Sequence, residues 1–380
     1  MVGGGPGAFI GAVHHRAATL DGMATLVAGA FSSNAAKSRE QGVAYGLAPE
    51  RAYASFDEMA QREAALPENE RIDFVSIVTP NHLHFPVAKA FIERGFHVVC
   101  DKPLTTTLED AEELCRLVKA HDVVFALTHP YTAYPMVRQA RALVQDGALG
   151  TVRKVIVEYS QGWLSTPLEQ SGNKQADWRT DPARAGAGAI GDIGTHAEHL
   201  ARFITGLEME QLLADVSSFV PGRRIDDDAN MLVRYKGGAK GVLFCSQISV
   251  GEENRLAIRV YGTTASLEWH QEDPNFLTVR HPDGPTETYK PGHAFLSAAA
   301  QRGTRLPAGH PEGLHEAFAN IYSNAMRVMH ARQAGKTPDP LDLDFPTVRD
   351  GAAGVHFIQA ALRSGREGAW VDASYVAPGA

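Results

Sequence analysis

The chain has 380 residues and a formal net charge of -8, with 44% hydrophobic and 21% charged residues. These values are ordinary for a globular protein large enough for two domains, and they exclude a largely disordered chain. Lysine and arginine are scattered and apolar runs are only strand-sized, so we expect neither a nucleic-acid partner nor a membrane span. Three widely spaced cysteines fit no disulfide or zinc pattern, and with no signal peptide they predict a cytoplasmic protein.

The chain opens on MVGGGPGAFIGAVHH, in which Gly3, Gly5 and Ala8 form a G-x-G-x-x-A pattern. In a dinucleotide fold such glycines let the backbone approach the pyrophosphate, which then sits on a helix N-terminus. The pattern alone is a weak signal, because a glycine-rich stretch is often only a turn. Because only Met1 and Val2 precede the glycines, we expect the natural protein to have several apolar residues before Met1.

The next segment, LVAGAF (26–31), predicts a second strand that ends at the candidate ribose contacts. The acidic residue that commonly binds the adenosine ribose is missing there, and Ser32, Ser33 and Lys37 take its place. Loss of the carboxylate removes repulsion toward a 2′-phosphate, whereas serines can also bind an unphosphorylated ribose. The sequence therefore leaves NAD and NADP both open.

The first third of the chain continues with alternating strands and helices. This βαβ rhythm predicts an α/β protein whose residues 1–128 form a Rossmann domain with a doubly wound parallel sheet. Strands are predicted at FVSIVTP (74–80), HVVCDKP (97–103) and VVFALTH (123–129), and helices at 86–95 and 107–122. The helix at 107–122 is predicted to open with a threonine cap.

From about residue 150, longer strands joined by glycine turns predict a mostly antiparallel sheet. Helices return at 192–205, 312–333 and 347–364, so residues 129–380 are predicted to form an α+β domain. The predicted strands lie in VRKVIVEYS, MLVRYKGGAKGVLFCSQIS, LAIRVYGTTASLEWH and FLTVRHPDGP.

The stretch GAIGDIGTHAEHL (188–200) places Asp192, His196 and His199 at helical spacing. Asp192 is predicted to cap a helix that Gly206 closes. His199 is expected to pack or hydrogen-bond on the same helix. A metal site built from the three side chains is a conceivable alternative, but we favour a capped helix whose first turn carries catalytic groups.

Three motifs carry a resemblance that extends over essentially the whole chain: TPNHLH (79–84), CDKP (100–103) and the D-x-x-x-H of residues 192–196. With them the sequence resembles the family of glucose-fructose oxidoreductase, inositol dehydrogenase and the rhizopine-catabolism oxidoreductases. The resemblance implies a Rossmann domain, then a domain with a large open sheet, with an active site between them and no metal. An open sheet leaves an apolar face to bury, so a homodimer or homotetramer is expected.

The resemblance also implies that Lys102, from a Glu-Lys-Pro motif whose acid here is Asp101, contacts the nicotinamide ribose and the reacting hydroxyl. His196 is the candidate base because a histidine pKa lies near neutrality. Asp192 would bind the hydroxyl or orient the imidazole, and Lys102 would stabilise a developing alkoxide. The substrate-binding candidates are Lys102, Tyr131, Trp178, Arg179, Asp192 and His196. The cofactor-binding candidates are Gly3, Gly5, Gly7, Ala8, Phe9, Ile10, Ser32, Ser33, Lys37, Thr79, Pro80, Asn81, His84, Asp101 and Lys102.

Several features have a structural interpretation beside the functional one. We expect Gly11 to be displaced relative to the family's third glycine and the first helix to open at Val13-His14. Trp178 can equally hold a structured loop, and the acidic run Asp226 to Asp228 is expected to be a solvated turn. Weaker pocket candidates are Arg138, Lys174, His310 and Glu312, and His82 can simply face solvent.

The sequence thus predicts an NAD(P)-dependent dehydrogenase that oxidises a secondary hydroxyl of a neutral sugar, sugar derivative or cyclitol. One alternative is glycoside cleavage in which bound NAD oxidises the sugar transiently. Another is a nucleotide-binding sensor without catalysis, although such a protein has no need of Lys102, Asp192 and His196 together.

Overall fold

A computed structural model describes residues 1–379, which form two compact units. The first contains residues 1–130, 314–352 and 377–379, and the second contains residues 131–313 and 353–376. The division predicted from the sequence places 314–352 in the second range, whereas this segment packs with the first unit. The reason is that its long helix lies against the helix that follows the glycine-rich start.

The first unit contains a parallel sheet with helices between its strands. Runs such as FVSIV and HVVC are buried along their length, as expected for β-branched strands covered on both faces. Within residues 1–379 this sheet has four strands in the order of the chain: Val2–Gly3 (β1), Phe74–Val78 (β2), His97–Asp101 (β3) and Phe125–Thr128 (β4). Its helices are Phe9–Thr19 (α1), Ala35–Ala44 (α2), Phe56–Ala64 (α3), His84–Ile92 (α4) and Leu108–His121 (α5).

Two local predictions for this unit have different outcomes. The threonine cap of α5 is confirmed, because Thr107 Oγ1 accepts the N–H of Asp110 at 3.2 Å. The predicted strand at 26–31 is wrong in extent, because it forms only isolated bridges such as Val2 to Ala30. The adjoining β1 pairs over just two residues, which gives this segment little ladder to join.

The second unit contains a large sheet that is mostly antiparallel. Over the described residues it has nine strands: Lys154–Ser160 (β5), Met209–Ser217 (β6), Asp228–Tyr235 (β7), Lys240–Ser246 (β8), Arg255–Tyr261 (β9), Ser266–His270 (β10), Leu277–Arg280 (β11), Thr286–Tyr289 (β12) and Val371–Asp372 (β13). Their order in the sheet is β12-β11-β10-β9-β5-β8-β7-β6-β13, and among neighbouring strands only the β5–β8 pair is parallel. The fold class predicted from the sequence, a parallel Rossmann sheet followed by an α+β domain with an open sheet, is confirmed.

The helices account for which face of the large sheet is buried. They are Pro135–Gln145 (α6), Lys174–Arg179 (α7), Pro182–Ala185 (α8), Thr195–Thr205 (α9) and Ala298–Arg302 (α10), followed by Leu314–Gln333 (α11) and Val348–Glu367 (α12). Helices α6 and α9 pack on one face, where alternate residues of β5 such as Val155 and Val157 are buried. On the other face Leu232 remains 49% exposed. Among residues 1–379, no helix is both long and apolar enough to cross a membrane.

Candidate active site

The glycine-rich loop is shaped by close backbone contacts. A Cβ on Gly3 would lie 2.6 Å from the Val78 carbonyl oxygen, and one on Gly11 would lie 2.5 Å from the Cα of Gly4. The helix α1 begins at Phe9, so the predicted start at Val13-His14 is wrong. Gly11 is already inside the helix, where its lack of a side chain lets the helix pack on Gly4.

The other side of this loop is open and suits an anion. Gly7 has a φ of +79°, and a Cβ there would meet nothing within 4 Å. Ala8, at the N-cap of α1, has no polar side-chain atom and makes no cap hydrogen bond to the first-turn N–H groups. Free N–H groups and the helix dipole favour a phosphate at this position. The loop from Gly7 to Ile10 therefore fits a dinucleotide pyrophosphate.

The candidate ribose contacts follow Phe31. Asn34 caps α2 by accepting the N–H groups of Ala36 and Lys37 at 3.0 and 3.1 Å, and Ser32 Oγ accepts the N–H of Asn34 at 3.2 Å. Ser33 and Lys37 are exposed. The sequence offered no reason to single out Asn34, yet it orders this turn. The choice between NAD and NADP would then depend on exposed hydroxyl and ammonium groups.

Lys102 stands at the carboxyl end of β3, directly after Asp101. One carboxylate oxygen of Asp101 accepts the N–H of Lys102 at 3.0 Å and the hydroxyl of Thr128 at 2.9 Å. Burial favours the neutral acid, but the His14 imidazole, whose Nε2 lies 3.7 Å from Oδ1, and Lys102 together hold the pKa of Asp101 below its usual range. Asp101 is therefore a carboxylate that fixes the backbone at Lys102.

His84 holds the other side of this segment. Its Nδ1 lies 2.7 Å from the Pro103 carbonyl oxygen and its Nε2 lies 3.0 Å from the Thr79 carbonyl oxygen. The ring is 1% exposed, and burial lowers its pKa. Asn81, in the short helix Asn81–Leu83, is also buried. Both were predicted to lie at the cofactor, and the contacts of His84 point to a role in shaping the segment on either side of it.

In the second unit, Asp192 lies in a π-helical turn, Ile190–Gly194, that runs directly into α9. The prediction that Asp192 caps this helix is wrong, because the backbone is already helical there and no side-chain cap is made. Instead its carboxylate accepts a hydrogen bond from Gln247 Nε2 at 2.8 Å and lies 3.4 Å from Arg179 Nε. The closure at Gly206 is confirmed, with a left-handed φ of +66°. Such π turns occur often at functional sites.

The cap of this segment is Asp226, which the sequence did not identify. Its two carboxylate oxygens accept the N–H groups of Gly188 and Ile190 at 2.7 and 2.8 Å. Asp226 and Asp227 are 8% and 1% exposed, so the expected solvated turn is wrong. The Asp227 carboxylate accepts hydrogen bonds from the N–H groups of Phe219 and Val220 and lies 3.2 Å from the Arg223 guanidinium. These acids are buried because unpaired N–H groups need acceptors.

His196 follows Asp192 by one turn and lies beside two tyrosines. Its ring centroid lies 4.7 Å from that of Tyr131, edge to face, and 6.2 Å from that of Tyr159. The two hydroxyls lie 2.6 Å apart, and Tyr159 donates to Asn254 at 2.6 Å. Burial raises the pKa of Tyr159 well above its usual value, so it remains a neutral donor. Tyr159 lies within β5 and Asn254 directly precedes β9, and neither had any other sequence signal.

The predicted aromatic and basic pair Trp178 and Arg179 ends α7. The Arg179 guanidinium lies 4.2 Å from the Trp178 ring centroid and also bonds Gln175. Both side chains are partly exposed. Arg179 therefore joins a stacked aromatic face to the Asp192 carboxylate.

The weaker candidates fall in different places. Arg138 is 1% exposed and His199 is 3% exposed, whereas Lys174 and His310 face solvent. Glu312 is buried and accepts the N–H groups of Arg305 and Leu306, which gives it a loop-holding contact. Among the described residues no group of three His, Cys, Asp or Glu side chains is placed to hold a metal ion, so Asp192, His196 and His199 do not form one.

Comparison with known proteins agrees with this architecture. Residues 1–129 match an oxidoreductase family described by its NAD-binding Rossmann fold, and residues 137–268 match the GFO/IDH/MocA C-terminal domain. The uncharacterized oxidoreductase YfiI of Bacillus subtilis (strain 168) is 33% identical over 377 residues, which are 98% of this chain and 95% of YfiI.

Solved structures are similar over the same length. An oxidoreductase from Sinorhizobium meliloti is 47% identical with a TM-score of 0.88, and the match covers 98% of each chain. An inositol dehydrogenase homolog from Azotobacter vinelandii, in complex with NAD+, is 37% identical with a TM-score of 0.93, covering 98% of this chain and 96% of that one. The resemblance found in the sequence is confirmed: the chain belongs to the Gfo/Idh/MocA family of oxidoreductases, whose N-terminal domain is an NAD-binding Rossmann fold.

Proposed function

We propose that this oxidoreductase oxidises a secondary hydroxyl of a neutral polyol, a sugar, sugar derivative or cyclitol, with a nicotinamide dinucleotide as acceptor. The observation that carries the proposal is the Asp192 and His196 pair, held on one continuous helical segment by Asp226 and Gln247. The Azotobacter vinelandii inositol dehydrogenase homolog, 36% identical in its complex with NADH and myo-inositol, supports a polyol substrate.

The proposed chemistry divides among three side chains. His196 takes the hydroxyl proton, because a neutral imidazole accepts protons near physiological pH. Asp192, which accepts a hydrogen bond from Gln247 and lies beside Arg179, accepts a further hydrogen bond from a substrate hydroxyl. Lys102 places positive charge on the developing alkoxide. Bound NAD or NADP supplies the hydride acceptor.

The remaining residues bind and orient. The loop from Gly7 to Ile10 would hold the pyrophosphate, and Ser33 and Lys37 would meet the adenosine ribose. Trp178 offers an apolar face for the hydrogen-bearing side of a sugar or cyclitol ring, and the stacked Arg179 offers donors to its hydroxyls. Tyr131 would close the surroundings of the imidazole of His196. A homodimer or homotetramer and a cytoplasmic location remain predictions.

The test is nicotinamide absorbance during incubation with inositols, hexoses, pentoses, anhydrosugars and glycosides, each with NAD and with NADP. We expect one class of polyol to reduce NAD or NADP, and we expect the His196→Ala variant to lose this activity. Aglycone release from a glycoside without net NADH would instead support transient oxidation. Dinucleotide binding without turnover on any compound would support a sensor and contradict the proposal.

A further inference from the structure

A chain of buried polar side chains in the first unit leads to Asp101. Ser76 Oγ lies 2.6 Å from the Tyr322 hydroxyl, and that hydroxyl lies 2.7 Å from His14 Nδ1. On the far side of the imidazole, His14 Nε2 lies 3.7 Å from Oδ1 of Asp101. His14 and Tyr322 are both 0% exposed. These residues come from α1, β2 and α11, and the proposed reaction uses none of them directly.

Asp101 determines which group donates and which accepts in each hydrogen bond of this series of side chains. An ionised carboxylate can only accept, so a neutral His14 carries its proton on Nε2 and accepts at Nδ1. The Tyr322 hydroxyl then donates to Nδ1, and Ser76 donates to the Tyr322 oxygen. Each proton is therefore directed toward Asp101. Removal of the Tyr322 hydroxyl would free the imidazole to move its proton to Nδ1, which would leave a lone pair facing the carboxylate.

One carboxylate oxygen of Asp101 links this series of side chains to Lys102. Oδ1 of Asp101 faces His14 and also accepts the Lys102 N–H at 3.0 Å. We propose that His14 and Tyr322 are positioning residues that hold Asp101, and through it the backbone of Lys102, in the orientation needed for dinucleotide binding and hydride transfer. The inference rests on the proposed role of Lys102.

Asp101 has a shorter side chain than the glutamate of the Glu-Lys-Pro motif, so its orientation depends on the N–H group that His14 turns toward it. At 3.7 Å the His14 to Asp101 contact exceeds a normal hydrogen bond, so it acts through the dipole of the Nε2–H group. Glutamate, one methylene longer, could reach Nε2 directly. Asp101→Glu should therefore make the protein less sensitive to loss of the Tyr322 hydroxyl.

The experiment compares Tyr322→Phe and His14→Leu with a matched control, Tyr53→Phe. Tyr53 is also buried and its hydroxyl donates to the buried Glu63 at 2.6 Å, so the control loses a comparable hydrogen bond elsewhere in the same unit. NAD+ affinity is measured by calorimetry, which needs no turnover, and kcat is measured with the polyol that the panel identifies. Thermal unfolding shows that each variant is folded.

We expect Tyr322→Phe and His14→Leu to weaken NAD+ binding and to lower kcat by about ten- to a hundredfold, the scale of a misplaced reacting group. His14→Gln, which keeps a donor toward Asp101, should recover most of both. Tyr53→Phe should lose stability but keep wild-type binding and kcat. If Tyr322→Phe does not fold, Ser76→Ala removes only the far end of the chain and should give a smaller effect of the same kind.

The pH profile separates positioning from simple loss of packing. The groups that face Asp101 are His14 from α1, His84 from α4, Tyr322 from α11 and the adjoining Lys102, and Tyr322 also faces Cys100 on β3. Replacement of His14 by leucine removes the N–H group that faces Asp101 and so raises the pKa of that carboxyl. In His14→Leu the acid limb of the pH profile of NAD+ affinity should therefore move toward neutral pH. Variants that match Tyr53→Phe in affinity, kcat and profile would overturn the inference. A wild type that binds NAD+ but oxidises no polyol would instead contradict the proposed function, and the binding comparison would still decide the inference.

Discussion

Replacement of Asp226 by alanine tests whether a buried carboxylate holds the segment that carries Asp192 and His196. The two oxygens of Asp226 accept the N–H groups of Gly188 and Ile190 at 2.7 and 2.8 Å. A Cβ on Gly188 would lie 1.8 Å from the Asp226 carbonyl oxygen, so the backbone segments at Gly188 and Asp226 are in contact and leave little room for water. Alanine would therefore leave two buried donors without acceptors.

The magnitude follows from those two donors. An unsatisfied buried N–H costs about 1–3 kcal/mol, so the pair costs about 2–6 kcal/mol. Part of that is offset, because burial raises the pKa of Asp226 and the carboxylate is itself costly to bury. We expect a net loss of about 2–3 kcal/mol, which for a unit of this size lowers the melting temperature by about 4–12 °C.

The assay is calorimetric unfolding together with kcat, with Asp215→Ala on the exposed side of β6 as the control. Asp226→Asn should be intermediate, since an amide oxygen can accept one N–H while its NH2 group opposes the other. Activity should fall with stability, because Asp192 and His196 lose their support. An unchanged melting temperature in Asp226→Ala would refute this account of the π turn.

Three further outcomes are expected. Gly11→Ala should impair folding and dinucleotide binding, because its Cβ meets the Gly4 backbone, whereas Gly7→Ala should cost only about 1 kcal/mol for its positive φ in a melting and binding comparison. Burial lowers the pKa of His84 below 6.5, so the unfolded chain binds the proton first and stability should fall as pH drops through that value. His84→Gln should lose less stability than the wild type between pH 7 and pH 5 in urea titrations. Ser33→Asp should lower kcat/KM with NADP more than with NAD, because a carboxylate repels a 2′-phosphate; an unchanged ratio would remove Ser33 from the ribose site.

By itself the sequence determined the elements and much of the local chemistry. Buried β-branched runs at 74–78 and 97–101 predicted parallel strands, Thr107 predicted a cap, and Gly206 predicted a left-handed helix end, because each signal lies within a few neighbouring residues. The spacing of Asp192 and His196 likewise placed both on one helical segment.

Only the tertiary structure decided what holds those groups. Asp226 lies 38 residues from Gly188, Gln247 lies 55 from Asp192, and Tyr322 lies 308 from His14. A single acceptor, amide or hydroxyl has no period and no motif, so its partner cannot be read from its neighbours along the chain. Asp226 shows the consequence: an acidic run looks like a solvated turn until the fold brings unpaired N–H groups against it.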